Sequence, residues 1–125
     1  MPAFVWALYL VIMMANPTRT ALVLMWERNI FVCQVRGCNN PAEEAHHCLY
    51  GKKKGICELN LYENLQLVCR LDHHITGKAK TWENKVNYWR WACSWYGVEH
   101  MIKWHQGLPL IIKEHYEEIV ENGGE

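Results

Sequence analysis

Cysteines and histidines are concentrated between Cys33 and His74, and this stretch constrains the fold more than any other part of the chain. Its three blocks read C-Q-V-R-G-C, then A-H-H-C-L-Y, then E-N-L-Q-L-V-C-R-L-D-H-H. Two cysteines separated by four residues, Cys33 and Cys38, can form a knuckle that binds a metal ion, and Gly37 allows the tight turn before Cys38. Cys69 and His73 can close a tetrahedral site around the same ion. Three thiolates and one imidazole suit Zn²⁺, so the spacing predicts a structural zinc site.

Four polar residues of the same stretch are left over after that site is filled, namely His46, His47, Asn64 and His74. A closed structural site takes four protein ligands. A small fold rarely carries clustered polar residues without a use, so the pattern favours a second, catalytic site. The alternative is one zinc site without catalysis, as in a zinc-ribbon binding module.

The order of these residues resembles the HNH endonucleases: His-His, then Asn in E-N-L, then Cys followed by His-His. The resemblance covers about residues 22–81. The lead-in M-W-E-R-N-I-F-V-C-Q-V-R-G-C is similar to the helix and knuckle that precede the first His in zinc-bearing members. It implies an α+β fold, a small ββα-metal HNH core with a zinc knuckle, flanked by N-terminal and C-terminal helices. The expected division is an apolar segment 1–20, the core 21–81 and a C-terminal helical extension 82–125, in one domain overall.

The resemblance also implies roles for single residues. His46 corresponds to a ligand of the catalytic metal, and His47 to the general base. Asn64 corresponds to the middle letter of the motif and would hold the His47 imidazole in the tautomer that accepts a proton. His74 corresponds to the second ligand of the catalytic metal. That ion would be Mg²⁺, Mn²⁺, Ni²⁺ or Zn²⁺, in addition to the structural Zn²⁺.

The end of the motif allows two registers. Family members usually show Cys-x-x-Cys-His or Cys-x-x-His-His, whereas this chain has C-R-L-D-H-H from Cys69, one residue longer. In the first register His73 completes the zinc site of the three cysteines, and His74 is catalytic. In the second register Asp72 is the fourth zinc ligand and His73 is catalytic. A thiolate-rich site more often takes imidazole than carboxylate, which favours the first register.

The charge distribution bears on the partner. Formal net charge is zero, yet residues 51–105 hold nine Lys or Arg against five Asp or Glu, and residues 106–125 hold one against five. The positive excess therefore surrounds the expected site, which favours contact with DNA phosphates over a merely solvated loop. We expect double-stranded DNA as the partner, contacted by Lys52, Lys53, Lys54, Lys78 and Lys80.

Cysteine usage and hydropathy bear on the compartment. Six cysteines placed beside histidines indicate thiolate ligands in a reducing compartment rather than disulfides, and the resemblance to proteins of phages and mobile elements suggests the cytoplasm of a bacterial or phage-infected cell. Residues 3–15 are continuously apolar, but a membrane span needs about 20 residues. No Lys or Arg precedes the run, as would be usual in a signal peptide, so we expect a buried N-terminal helix or strand, or extra sequence from an early start codon, rather than a signal peptide or membrane contact. The sequence leaves the role of this segment open. Oligomeric state does not follow from the sequence.

Local signals predict the surrounding elements. One strand is expected over Glu44–Tyr50, and a turn and second strand over residues 62–68. Four helices are expected: 21–29 with Thr20 as N-cap, a long helix between Thr81 and Gly97, 98–106, and a last helix carrying Ile112, Tyr116 and Ile119.

The reading that unites these observations is a metal-dependent HNH endonuclease that hydrolyses DNA phosphodiester bonds with His47 as general base. The alternative belongs to another class: a non-catalytic, zinc-stabilised module that binds nucleic acid or a protein.

Overall fold

The structure, a computed structural model, describes residues 17–109. The apolar stretch 3–15 and the expected last helix lie outside these residues. Helices and strands are mixed, which is compatible with the expected small α+β fold. The main elements, in chain order, are α1 (Arg19–Arg28), β1 (Glu44–His47), β2 (Leu65–Val68), α2 (Trp82–Tyr96) and α3 (Val98–Gln106). Between residues 17 and 109, no helix combines the length and apolarity needed to cross a bilayer.

Short elements complete the chain. β1 and β2 form a two-stranded antiparallel sheet. Single helical turns cover Cys57–Asn60, Tyr62–Asn64, Leu71–Ile75 and Lys78–Lys80, and the third of these is a π helix. The described chain divides into two compact units. The first contains residues 17–46 and 66–79, and the second contains residues 47–65 and 80–109.

Helix α1 opens the first unit, and its N-cap is Thr18 rather than the expected Thr20. Thr18 is extended, and its hydroxyl accepts a hydrogen bond from the backbone N–H of Ala21 at 3.2 Å. A hydroxyl at this position satisfies one of the unpaired N–H groups of the first turn, so the helix begins two residues earlier. Asn29 ends the helix in the left-handed region, with φ of 56°, and its N–H donates to Met25.

The knuckle follows as a narrow loop closed by an antiparallel bridge between Val32 and Pro41. The N–H of Cys33 donates to the carbonyl of Asn40 at 2.8 Å, and this bond closes the loop at its base. Gly37 sits at the tip with φ of 84°, which a side chain would strain, as the sequence predicted. The loop thereby carries its cysteine thiols toward the small core at the end of β2.

The π helix Leu71–Ile75 lies directly after that strand and decides which side chains reach which site. Its wide turn is marked by the N–H of Thr76, which donates to the carbonyl of Leu71 five residues earlier at 2.9 Å. One turn earlier, the N–H of His73 donates to the carbonyl of Cys69 at 3.1 Å. Single turns of this kind are rare and often occur at functional sites.

The second unit is built on α2, whose N-cap is Thr81 as predicted. The Thr81 hydroxyl accepts from the N–H of Asn84 at 3.1 Å, and Gly97 ends the helix with φ of 100°. The bounds of α3 also agree with the prediction. An apolar core surrounds the fully buried Trp89 and includes Leu49, Leu59, Tyr88, Ala92 and Met101.

Candidate metal centres

Three thiols and one carboxylate meet in the first unit. The Sγ atoms of Cys33, Cys38 and Cys69 and a carboxylate oxygen of Asp72 all lie within 4.8 Å of one another. Asp72 is 2 % exposed, and its Oδ2 lies 3.4 Å from the Sγ of Cys33. A buried group of three soft donors and one hard donor can hold a metal ion, and this donor set suits Zn²⁺.

Backbone and side-chain donors surround the sulfur of Cys69. The N–H of Asp72 points at this Sγ from 3.4 Å, and the amide of Asn40 donates to it from 3.6 Å. Such donors stabilise negative charge on sulfur, and outer hydrogen bonds of this kind orient metal ligands. The group therefore has supporting hydrogen bonds as well as the four ligands themselves.

The proton affinities of this group fit a cation site. Burial raises the pKa of the Cys33 thiol, and the charges of Cys69 and Cys38 raise it further. Burial also raises the pKa of Cys38, as does its hydrogen bond with Asp72. Burial alone would raise the pKa of Asp72, but hydrogen bonds from Cys38, Cys33 and Cys69 outweigh it and the pKa is lowered. A metal ion must displace the thiol protons, so its binding weakens as pH falls.

The structure places Asp72, not His73, beside the thiols, which is the second of the two registers. In the π-helical turn, the residue three positions after Cys69 points back at its sulfur, as the Asp72 N–H contact shows. The next residue, His73, is directed toward β1 instead. The sequence favoured His73 because imidazole binds zinc well. The backbone path of the π-helical turn brings the Asp72 side chain to the thiols instead.

Imidazoles form a second group in the same unit. The Nε2 atom of His73 lies 3.2 Å from the Nδ1 atom of His46. The other ring nitrogen of His46 lies 3.0 Å from the carbonyl oxygen of Ala79, which can only accept, so Nε2 of His46 carries the hydrogen. Its Nδ1 then presents a lone pair toward His73. His46 is 8 % exposed, so this pair is largely removed from water.

Glu44 completes this second group, although sequence reasoning did not single it out. One carboxylate oxygen lies 3.1 Å from Nδ1 of His73 and 2.7 Å from Nε2 of His74. Partial burial by itself raises the pKa of Glu44, but the hydrogen bond from His73 and the charge and hydrogen bond of His74 together lower it. Strand alternation puts Glu44 and His46 on one face of β1, a signal that the sequence carried as an i, i+2 pair.

The separations within this group limit which pairs of atoms could share a metal ion. Two ligand atoms that each lie about 2.1 Å from one ion, at angles of roughly 90–109°, are about 3.0–3.4 Å apart. The 3.2 Å between His46 and His73 and the 3.1 Å between His73 and Glu44 both fall in that range, and both are also hydrogen-bond distances. The 2.7 Å between His74 and Glu44 is shorter and matches a charge-assisted hydrogen bond of about 2.7–2.9 Å. The geometry is therefore compatible with an ion shared by His46 and His73, and it disfavours one shared by His74 and Glu44.

In the second unit, the His47 imidazole is held by Asn60. Its Nε2 lies 2.9 Å from Oδ1 of Asn60, which accepts, so Nε2 carries the hydrogen and Nδ1 carries the lone pair. This is a tautomer that can accept a proton. The resemblance implied that Asn64 would do this, and no periodicity or spacing in the sequence pointed to Asn60.

Asn64 instead holds the backbone of the loop that follows β1. Its side-chain oxygen accepts from the N–H groups of Leu49 at 2.9 Å and Tyr50 at 3.0 Å, and its amide donates to the carbonyls of Tyr50 and Leu59 at 2.8 Å each. Two acceptor and two donor positions are thereby filled, which is the full capacity of a carboxamide. These bonds also explain why β1 ends at His47 and not at the expected Tyr50, since the N–H groups of Leu49 and Tyr50 turn to Asn64.

The five lysines expected at the DNA are all exposed: Lys52, Lys53, Lys54, Lys78 and Lys80. The first three follow β1 in the second unit. Within the first unit, Lys78 and Arg36 line an open cleft of about 290 Å³ beside Cys38 and Asp72. Two positively charged side chains, those of Lys78 and Arg36, therefore lie close to the thiol group.

No protein-family model matches this chain, and neither a curated protein nor a solved structure is significantly similar to it.

We expect Asp72→Asn to weaken Zn²⁺ binding on the order of 100-fold, because it removes one of four ligands that share roughly 10–16 kcal/mol. Asp72→His should retain the ion, since imidazole is a good zinc ligand. Competition with a chromogenic chelator measures both affinities. His73→Ala is the matched control and should keep Zn²⁺ in the thiol group. Loss of that ion in His73→Ala with retention in Asp72→Asn would restore the first register.

Asn64→Ala should destabilise the protein by at least about 3 kcal/mol, because it leaves two N–H groups and two carbonyls unsatisfied in a buried place. Asn60→Ala is the matched control, since Asn60 is exposed, and it should change the free energy of unfolding by no more than about 0.5 kcal/mol. Urea unfolding of the zinc-loaded proteins provides the comparison. Similar midpoints for the two variants would contradict the role assigned to Asn64.

Proposed function

We propose that this protein is a metal-dependent HNH-type endonuclease that hydrolyses phosphodiester bonds of double-stranded DNA. The thiol group with Asp72 would hold a structural Zn²⁺. His46 and His73 would hold the catalytic divalent ion, and His47, the next residue of β1, would be the general base. The observation that carries the proposal is the pair of imidazole nitrogens, His46 Nδ1 and His73 Nε2, 3.2 Å apart.

A cation between these two nitrogens is favoured by the hydrogen bonds that the other ring nitrogen of each histidine makes. His46 donates from Nε2 to the carbonyl of Ala79, and His73 faces the Glu44 carboxylate with Nδ1. If both outer nitrogens carry hydrogens, both inner nitrogens carry lone pairs. Two lone pairs at this distance repel unless a proton or a metal ion lies between them. Metal-bound histidines characteristically donate their other ring N–H to a carbonyl or a carboxylate, as both do here.

The ligands indicate the class of ion and its task. Imidazole nitrogen suits first-row ions such as Mn²⁺, Ni²⁺ and Zn²⁺ better than Mg²⁺, which takes oxygen ligands. With two protein ligands, most coordination positions stay available to water and phosphate. An ion bound there would neutralise charge on the scissile phosphate and stabilise the leaving oxygen.

The remaining requirement is a group that takes the proton of the attacking water. His47 meets it chemically, since its hydrogen bond to Asn60 fixes the hydrogen on Nε2 and leaves Nδ1 able to accept. Asn60 therefore acts through His47 as a positioning residue. The role that the resemblance gave to Asn64 passes to Asn60 in this proposal, while Asn64 holds the loop.

The competing function is a zinc-stabilised binding module without catalysis. The thiol group and its supporting hydrogen bonds favour it, because they are complete without any histidine. It leaves the His46–His73 pair, with its two matched outer acceptors, without a purpose. Cleavage of DNA separates the two functions directly.

Zinc-loaded protein should nick or cut supercoiled plasmid when Mn²⁺ or Ni²⁺ is added, and less well with Mg²⁺. His47→Ala should lower the cleavage rate by about 10²- to 10⁴-fold, the usual contribution of a general base. His73→Ala should lose cleavage but keep its fold and structural Zn²⁺, whereas His74→Ala should keep most activity. Gel assays with each metal, beside circular dichroism and zinc content, give these values. Undiminished cutting by His47→Ala, or no cutting with any ion, would refute the proposal.

Changing Lys52, Lys53 and Lys54 together to Ala should flatten the salt dependence of DNA binding. Each lost phosphate contact lowers the slope of log K against log salt by up to about 0.9. Fluorescence anisotropy with a duplex oligonucleotide across a salt series measures the slope. Lys103→Ala, an exposed lysine of α3, is the control and should leave it unchanged. An unaltered slope in the triple variant would show that the loop is merely solvated.

A further inference from the structure

The Glu44 carboxylate lies on the side of His73 that faces away from His46. Glu44 and His46 share one face of β1, and His73 approaches that face from the π helix. One nitrogen of His73 is 3.2 Å from His46, and the other is 3.1 Å from Oε1 of Glu44. His73 is thus held from both sides, by an imidazole on one and by a carboxylate on the other.

We propose that Glu44 is the positioning residue of the catalytic ion: it accepts the Nδ1–H of His73 and so presents the Nε2 lone pair to the ion shared with His46. The ion's catalytic role rests on the proposed function, but the binding itself does not. A carboxylate behind a ligating histidine fixes both its tautomer and its ring orientation and makes the nitrogen a better donor.

The carboxylate is itself held in place, which a positioning residue needs. Oε1 also contacts Nε2 of His74 at 2.7 Å, and Oε2 lies 3.8 Å from Nε of Arg70. Three groups on the two oxygens restrict rotation of the carboxylate. His74 is then a donor to Glu44 and not a ligand, in agreement with its half-exposed side chain.

A different arrangement would place the ion among Glu44, His73 Nδ1 and His74 Nε2, whose ligand atoms also lie within 4.8 Å of one another. The short 2.7 Å contact between Glu44 and His74 argues against it, because it leaves too little room for two atoms bound to one ion at ordinary angles. The two arrangements differ in what they need from position 44. A positioning residue needs an acceptor, whereas a ligand needs the negative charge.

Mn²⁺ binding to protein already loaded with one equivalent of Zn²⁺ tests this, with free Mn²⁺ counted by electron paramagnetic resonance. Glu44→Ala should weaken Mn²⁺ binding by about 10- to 100-fold, the usual loss when such a partner is removed. Glu44→Gln keeps an oxygen acceptor and should recover most of the affinity. Glu43→Ala is the matched control, because Glu43 is the neighbouring carboxylate and pairs with Arg70 at 3.0 Å instead.

Three outcomes would overturn the inference. Glu44→Ala could bind Mn²⁺ as tightly as the unaltered protein. Glu44→Gln could lose as much Mn²⁺ affinity as Glu44→Ala does. The control Glu43→Ala could also lose as much Mn²⁺ affinity as Glu44→Ala does. If Glu44→Ala fails to retain structural Zn²⁺, Glu44→Leu keeps the side-chain volume without an acceptor and decides the point. Because every readout is binding, a protein that never cuts DNA can still support the inference, and one that cuts can refute it.

Discussion

Mutual repulsion among four clustered donors, three of them buried and Cys38 half-buried, is the constraint on which the first unit depends. Three thiolates and a carboxylate within 4.8 Å cannot all be charged in a buried place without a cation. The apolar core around them is small and consists of Val35, Val68 and Ala79 beside the cysteines. An ion bound by this group would therefore tie the knuckle, the end of β2 and the π helix together. Binding free energy at such a site becomes folding free energy.

The π-helical turn directs two neighbouring side chains to two different groups. Asp72 and His73 are neighbours in sequence, yet one side chain meets the thiols and the other meets His46. A Cys-x-x-Asp spacing lets the Asp72 N–H return to the sulfur of Cys69. Once that contact is made, the direction of the following residue is determined by the same turn. The turn thus directs Asp72 to the thiols and His73 to His46.

Sequence reasoning succeeded where the signal is local. The cap at Thr81, the end at Gly97 and the tight turn at Gly37 each depend on one residue and its immediate neighbours, and all three are confirmed. The cap at Thr20 was wrong because two threonines lie close together, and Thr18 is the one with an extended backbone and a hydrogen bond to the first turn. Propensity alone does not separate two threonines that lie two positions apart.

The candidate sites were predictable as a set of residue types and not as a set of contacts. Spacing paired Cys33 with Cys38 correctly because their knuckle is a local loop, whereas Cys69 joins them from 31 residues beyond Cys38. The choice between Asp72 and His73 depends on the helical pitch after Cys69, which no periodicity revealed. Glu44 and Asn60 were missed because each acts on another side chain, His73 in one unit and His47 in the other. Such partners become visible when hydrogen bonds are counted atom by atom.

Asn60 illustrates a problem that any chain with clustered imidazoles must solve. A neutral histidine can act as a base or as a metal ligand, and in either role it needs one ring nitrogen with an available lone pair. The hydrogen bond from His47 Nε2 to Asn60 occupies one of its two nitrogens and leaves a single lone pair, on Nδ1. In His46 and His73 the outer nitrogens are likewise occupied, by a carbonyl and a carboxylate. In the proposed function, the same arrangement, one nitrogen held and one presented, would serve both a general base and two metal ligands. His46 and His47 both present Nδ1, so the surroundings of that nitrogen, and not which nitrogen it is, distinguish the two roles.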